Sequence, residues 1–94
     1  LKEAVRFGLA AYNVGAGHVD DARKLAEALG KDKNRWFGHV ADALPLLSRP
    51  RHFRNARYGY CRGEEPKRYV SEIQTRYDAY VGLTDQSALL KPAK

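Results

Sequence analysis

The sequence predicts an all-α fold, and three observations carry that prediction. Apolar residues recur at spacings of three and four in separate stretches along the chain, as the buried face of a helix requires. No stretch alternates apolar and polar residues between turn formers, the pattern of a half-buried strand. Gly15, Gly17, Gly30 and Gly82 fall at the ends of periodic stretches and Pro66 at the start of one, where helices end and begin. About four helices follow, with an aromatic and basic loop before the last.

The first helix is expected over residues 1–12, where Val5, Leu9 and Tyr12 stand at i, i+4 and i+7 with Ala4, Phe7 and Ala11 beside them. The chain opens in mid-helix at Leu1 and reads as cut from something longer. Asn13-Val14-Gly15-Ala16-Gly17 then supplies two glycines for a tight reversal. A second helix is expected over 18–29, with Val19, Ala22, Ala26 and Leu29 in period, Asp20 and Asp21 in its first turn, and Gly30 as its stop. A third is expected over 34–47, capped by Asn34, with Trp36, Val40, Leu44 and Leu47 on one stripe and Pro45 as a bend. Residues 48–63 have no clean period and read as a structured loop with one short helical turn. Pro66, set as a first helical position behind Glu64 and Glu65, opens a last helix with Val70, Ile73, Tyr77 and Val81 buried and Gly82 as its end. Residues 1–83 thus form one domain portion and 84–94 a flexible tail.

Ninety-four residues support one domain at most. With 44% hydrophobic and 30% charged residues, the chain lies outside the range of disorder. Seventeen Lys and Arg against eleven Asp and Glu give a net charge of +6, which favours anionic partners. The excess is concentrated: residues 49–68 hold seven Lys or Arg (49, 51, 54, 57, 62, 67 and 68) against Glu64 and Glu65. Lone Cys61 excludes an internal disulfide and reads as a small packing residue. His18, His39 and His52 lack metal or triad spacing, so neither a metal nor another cofactor is expected. No apolar run reaches the roughly 20 residues that span a bilayer, and no segment resembles a signal peptide, so the chain itself is expected to be soluble.

Two constellations carry candidate chemistry. In the first, a helix delivers Tyr12 and Asn13 at its end, before Gly15. A tyrosine ring presents an apolar face and a hydroxyl, and an Asn amide both donates and accepts, which suits a sugar. On spacing alone Tyr12 also fits the core, and Asn13 a left-handed C-cap. The second runs from Arg57 to Val70 and includes Tyr60, Arg62 and Tyr69. Arginines interleaved with aromatic residues suit an anionic glycan, single-stranded nucleic acid, or a plain solvated face. Adjacent Glu64 and Glu65 do not suit a glycosidase acid pair, because the helix N-terminus favours the ionised carboxylate whereas a general acid must stay protonated.

Together the two blocks resemble the lytic murein transglycosylases of the lysozyme-like superfamily. Ala11-Tyr12-Asn13-Val14-Gly15 matches that family's Ala-Tyr-Asn-x-Gly motif. Asn34-Arg35-Trp36, Leu44-Pro45-Leu46-Leu47, Arg57-Tyr58-Gly59-Tyr60, Arg62-Gly63-Glu64-Glu65-Pro66 and Tyr69-Val70 look like the C-terminal part of the catalytic domain in a membrane-bound branch. The resemblance implies a partner, the glycan strands of peptidoglycan, and not nucleic acid. It implies cleavage of the β-1,4 bond between N-acetylmuramic acid and N-acetylglucosamine, with a 1,6-anhydro product. Its single catalytic glutamate stands in a Glu-Ser motif, followed by Gly-Leu-Met-Gln, upstream of Ala-Tyr-Asn-x-Gly. This chain has no Glu-Ser pair and no Met, so the glutamate is expected upstream of Leu1 and the isolated chain is expected to be inactive. By the same resemblance Tyr12 and Asn13 line the cleft, Gly15 shapes the turn and Tyr69 stands near the catalytic carboxyl or the substrate; Tyr60 and Arg62 of the second constellation are further candidate substrate contacts. The longer protein would be periplasmic and peripheral to the outer membrane. Two other readings stay open: a goose-type lysozyme relative that hydrolyses the same bond, and a small basic helical module for nucleic acid.

Overall fold

The computed structural model describes residues 1–90 and contains, among them, helices and turns but no strand. Helices α1 (Glu3–Val14) and α2 (Ala16–Ala28) form a hairpin. A turn over Trp36–Val40, the single-turn α3 (Ala41–Ala43), a tight turn over Leu44–Ser48 and the short α4 (Pro50–Phe53) follow. The long α5 (Glu64–Leu90) packs back on α1. Trp36, Val40, Leu44, Leu47 and Val70 make the centre of the core, and Ala10, Ala22, Ala26 and Ala43 allow the helices to approach it closely.

The expected face of α1 is buried in part. Phe7, Leu9 and Ala11 pack toward the core with Ala10 and Val14, whereas Val5 is 46% and Tyr12 85% exposed. Both stripes have helical period, and periodicity fixes the spacing of the buried face without fixing its phase. Tertiary contacts fix the phase. Phe7 meets the Trp36 ring edge to face at 5.6 Å. The Glu3 carboxylate accepts the Trp36 backbone N–H at 2.6 Å and pairs with Arg6. Arg6 Nε in turn donates to Gln74 Oε1 on α5 at 2.9 Å.

The stripe of Trp36, Val40, Leu44 and Leu47 is buried as expected, each at 1% exposure or less, but not on one continuous helix. Phe37 is extended (ψ 130°) and Gly38 takes φ 77°, which breaks the first turn; Pro45 lies in the tightened turn after α3. Asn34 is not a cap: its N–H donates to Asp32 Oδ1 at 2.8 Å and its Oδ1 accepts from Arg23 Nη2 at 3.0 Å. α2 does stop at Gly30, in a Schellman arrangement. The Lys31 N–H bonds Ala26 O at 2.8 Å and the Gly30 N–H bonds Glu27 O at 3.0 Å.

α5 begins at Glu64, two residues before the expected start, with Pro66 at the third position, where no intrahelical N–H is required. Tyr69 therefore lies in the second turn of the helix. The helix continues through Gly82 to Leu90, and residues 91–94 of the expected tail lie outside the described residues. Of the expected buried stripe, Val70 is buried, Ile73 and Val81 are half-buried and Tyr77 is 45% exposed. α1, with 12 residues against 27 in α5, is too short to cover the whole face.

Candidate functional site

The α1–α2 reversal depends on Gly15, whose φ of 100° and ψ of 141° lie where a side chain is strained. Its N–H bonds Ala11 O at 2.8 Å and its carbonyl accepts from Val19 at 3.3 Å, so the linker closes one helix and opens the next. Tyr12 and Asn13 occupy the last turn of α1 and are exposed. Tyr12 is not a core residue. Asn13 is not a left-handed cap, because among the described residues only glycines have positive φ.

The second constellation is held by contacts distant in sequence. Asp21 on α2 is 5% exposed, and its two carboxylate oxygens accept the backbone N–H groups of Arg57, at 3.2 Å, and Tyr58, at 2.9 Å. Charge-assisted bonds of this kind are among the stronger ones in a protein. The Tyr58 ring lies over Gly17, where an added Cβ would stand 2.8 Å from it, and the Arg57 guanidinium lies 5.5 Å from its centroid. The Cys61 N–H bonds Leu47 O at 3.1 Å. Gly63 is buried against the Leu44–Pro45 peptide so closely that a Cβ would meet Leu44 O at 2.1 Å. Burial pushes the Cys61 thiol above its ordinary pKa and the Asp21 carboxylate adds to the shift, which keeps the thiol protonated.

Tyr60 and Arg62 share one recess. With Ser48, Glu64, Glu65 and Arg68 they border a volume of about 410 Å³ at the start of α5. Tyr60 is 54% exposed and meets Phe53 edge to face at 5.7 Å. Arg62 and Glu65 approach only to 3.9 Å, and both side chains are largely exposed. Tyr69 is half-buried and packs against the core. Tyr12, Asn13 and Tyr69 do not border that recess.

The two constellations nevertheless share an end of the molecule. Gly17, just after the reversal, touches Tyr58, five residues before Gly63 and the start of α5, whereas Arg6, nearer the start of α1, bonds Gln74, ten residues into α5. α1 therefore runs antiparallel to α5, and the helix end carrying Tyr12 and Asn13 points toward the α5 end that bears Tyr69 and is preceded by Tyr60 and Arg62. Among the described residues no group of three or more His, Cys, Asp or Glu could hold a metal ion, and no helix is long and apolar enough to cross a membrane.

Sequence reasoning missed Asp21, Gly17 and Gly63. Asp21 looks like any first-turn acid, and neither glycine lies at a position whose φ is diagnostic; their roles come from what packs against them.

No family model matches the chain. Curated relatives do. Membrane-bound lytic murein transglycosylase F of Maricaulis maris (strain MCS10) is 56% identical over 79 residues, covering 84% of this chain and 17% of that protein. The protein of the same name from Marinobacter nauticus is 49% identical over 82 residues, 87% of this chain and 16% of the relative. That from Shewanella woodyi is 45% identical over 85 residues, 90% of this chain and 18% of the relative. The chain spans about a sixth of the length of these relatives and is similar to their C-terminal part. The likeness suggested by the 11–15 motif and the 57–70 block thus extends along most of the chain.

Proposed function

From this likeness we propose that the chain is part of the catalytic domain of a peptidoglycan lytic transglycosylase, with residues 1–83 forming one wall of the glycan cleft. The longer protein cleaves the β-1,4 bond between N-acetylmuramic acid and N-acetylglucosamine. A glutamate outside these 94 residues protonates the glycosidic oxygen, then removes the proton from the muramyl O6 hydroxyl as that oxygen closes on its own anomeric carbon. The leaving glycan departs with the proton, the 1,6-anhydro ring forms, and water is not consumed. Tyr12 and Asn13 contact the sugar next to the scissile bond, Gly15 holds the reversal that presents them, and Tyr69 lies toward the reacting carboxyl. Tyr60 and Arg62 extend the surface along the strand. The enzyme works in the periplasm, peripheral to the outer membrane.

The observation that carries this reading is the exposure of Tyr12 and Asn13 at the end of α1, in a motif that runs unbroken in a chain about half identical to its relatives. A nucleic-acid module is less well supported. Tyr58 lies over Gly17 with the Arg57 guanidinium beside it, which restricts base stacking at that ring, although Tyr58 and Tyr60 are each about half exposed.

Incubation with purified sacculi, followed by mass spectrometry, tests the proposal. The longer protein releases 1,6-anhydromuropeptides and the 94-residue chain releases none. Reducing-end products from the longer protein would instead indicate a hydrolase of goose-lysozyme type. Anhydro product from the 94-residue chain would overturn the assignment of the acid to a residue outside it.

A further inference from the structure

The segment from residue 43 to residue 63 contains five arginines and no Asp or Glu. Arg49, Arg51, Arg54 and Arg57 are all exposed, and among the described residues none is paired with a carboxylate. Arg49 caps α4, Arg51 lies on it, and Arg54 and Arg57 lie in the turn that follows. That turn is fixed, because the Asn55 side chain donates to the Arg51 carbonyl at 3.2 Å and Asp21 holds the Arg57 and Tyr58 amides. Arg51 and Arg57 border a recess of about 400 Å³, with Lys24 and His52 beside them and Leu25 and Leu47 as apolar lining. Asp21 also reaches this recess, but its oxygens are already hydrogen-bonded to backbone N–H groups. The result is a surface with a net cationic excess, Lys24, Arg51 and Arg57 against the one carboxylate of Asp21, over an apolar floor.

We propose that this arginine surface binds carboxylate groups on the peptide stems that branch from the glycan strand. The inference rests on the reading of the chain as part of a transglycosylase. A guanidinium matches a carboxylate with two parallel N–H···O bonds, which a solvated ammonium does not. The apolar floor suits the aliphatic portion of a short peptide. The position agrees as well: Gly17 against Tyr58 and Asp21 against the 57–58 backbone join the surface to the α1–α2 hairpin that presents Tyr12 and Asn13. A strand held at those residues carries its stems past the arginines. Nucleic acid would need aromatic faces for stacking beside the phosphate contacts, and neither Tyr58 nor Tyr60 borders the recess.

The test is co-sedimentation of the longer protein, and of its Arg51→Gln/Arg57→Gln variant, with three probes: intact sacculi, sacculi stripped of stems by an amidase, and vesicles containing phosphatidylglycerol. The same proteins are titrated with a single-stranded oligonucleotide. Binding to intact sacculi weakens about three- to tenfold in the variant, as expected for the loss of two exposed charge contacts, while binding to stripped sacculi is unchanged. Arg51→Lys/Arg57→Lys keeps the charge and retains part of the binding, which separates loss of contact from loss of fold. Equal binding of wild type and glutamine variant to intact sacculi overturns the proposal and leaves the cleft reading intact, provided that both release anhydro product. A loss confined to vesicles or oligonucleotide overturns it in favour of a lipid or nucleic-acid surface. Failure of the wild type to bind or cleave any sacculi is a failure of the transglycosylase reading itself.

Discussion

The reversal at residues 13–17 and the segment from 48 to 63 present candidate side chains toward the same end of the molecule by opposite means. The reversal is local. One glycine at φ 100° and two backbone hydrogen bonds to residues within four positions are enough to turn the chain and leave Tyr12 and Asn13 exposed. The 48–63 segment has only the single turn of α4 as regular structure. It is positioned from outside by the Asp21 carboxylate, by Leu47 O and by the Leu44–Pro45 peptide against Gly63. A site wall can therefore be built from a short turn that needs little support, or from a loop that is only as well ordered as its tethers.

If that contrast holds, damage to the tethers should cost more than damage to the turn. Gly63→Ala is expected to have the largest effect, because the added methyl meets backbone that cannot swing aside. A loss of about 3 kcal/mol or more in chemical denaturation is expected, with α5 displaced from the core. Asp21→Ala comes next. It removes the acceptor of two charge-assisted hydrogen bonds, and a loss of about 2 to 3 kcal/mol is expected. Amide exchange should accelerate at Arg57 and Tyr58 while the α1–α2 turn is unaffected. Protection at 57–58 unchanged in the variant would show that Asp21 is not the tether.

Gly15→Ala sharpens the other side of the comparison. The site is sterically open, so the cost is only the strained backbone, about 1 to 2 kcal/mol, without loss of order in the loop. The smallest effect concerns Cys61. Its thiol is held protonated by burial, so alkylation of the folded protein should be slow and become fast only on unfolding. Because its folded-state pKa is raised, the associated stability is fully present below the ordinary thiol pKa and is lost as pH rises from there through the folded value. A thermal midpoint that rises with pH across that window would contradict this.

The sequence made the local features legible and left the distant ones hidden. The helix stops at Gly15 and Gly30 follow from glycine's access to positive φ, and the buried stripe of Trp36, Val40, Leu44 and Leu47 follows from its spacing. The phase of α1 was legible only in part: Phe7, Leu9 and Ala11 pack inward as expected, but Val5 and Tyr12 do not. Phe7, Ala10 and Val14 face inward because Trp36 and Glu3 lock them there, and no pattern within α1 records Trp36. The break at Gly38 was missed because the apolar spacing continues across it. The start of α5 at Glu64 was missed for a similar reason: Pro66 is acceptable at the first or the third helical position, and the Gly63 contact with Leu44 selects the third. Of the candidate site, Tyr12, Asn13 and Gly15 could be found by a contiguous motif. Tyr60 and Arg62 lie in one recess for reasons that reside in Asp21, Leu47 and Gly63.

The central claim, that the end of α1 forms a sugar-contacting wall of a transglycosylase cleft, is tested most directly in the longer protein by Tyr12→Ala and Asn13→Ala. Both side chains are exposed and support no core contact, so the thermal midpoint should stay close to wild type. Release of 1,6-anhydromuropeptide from sacculi should fall about tenfold or more, the effect of one lost transition-state contact of roughly 1.4 kcal/mol. Wild-type product yield from both variants would contradict the account.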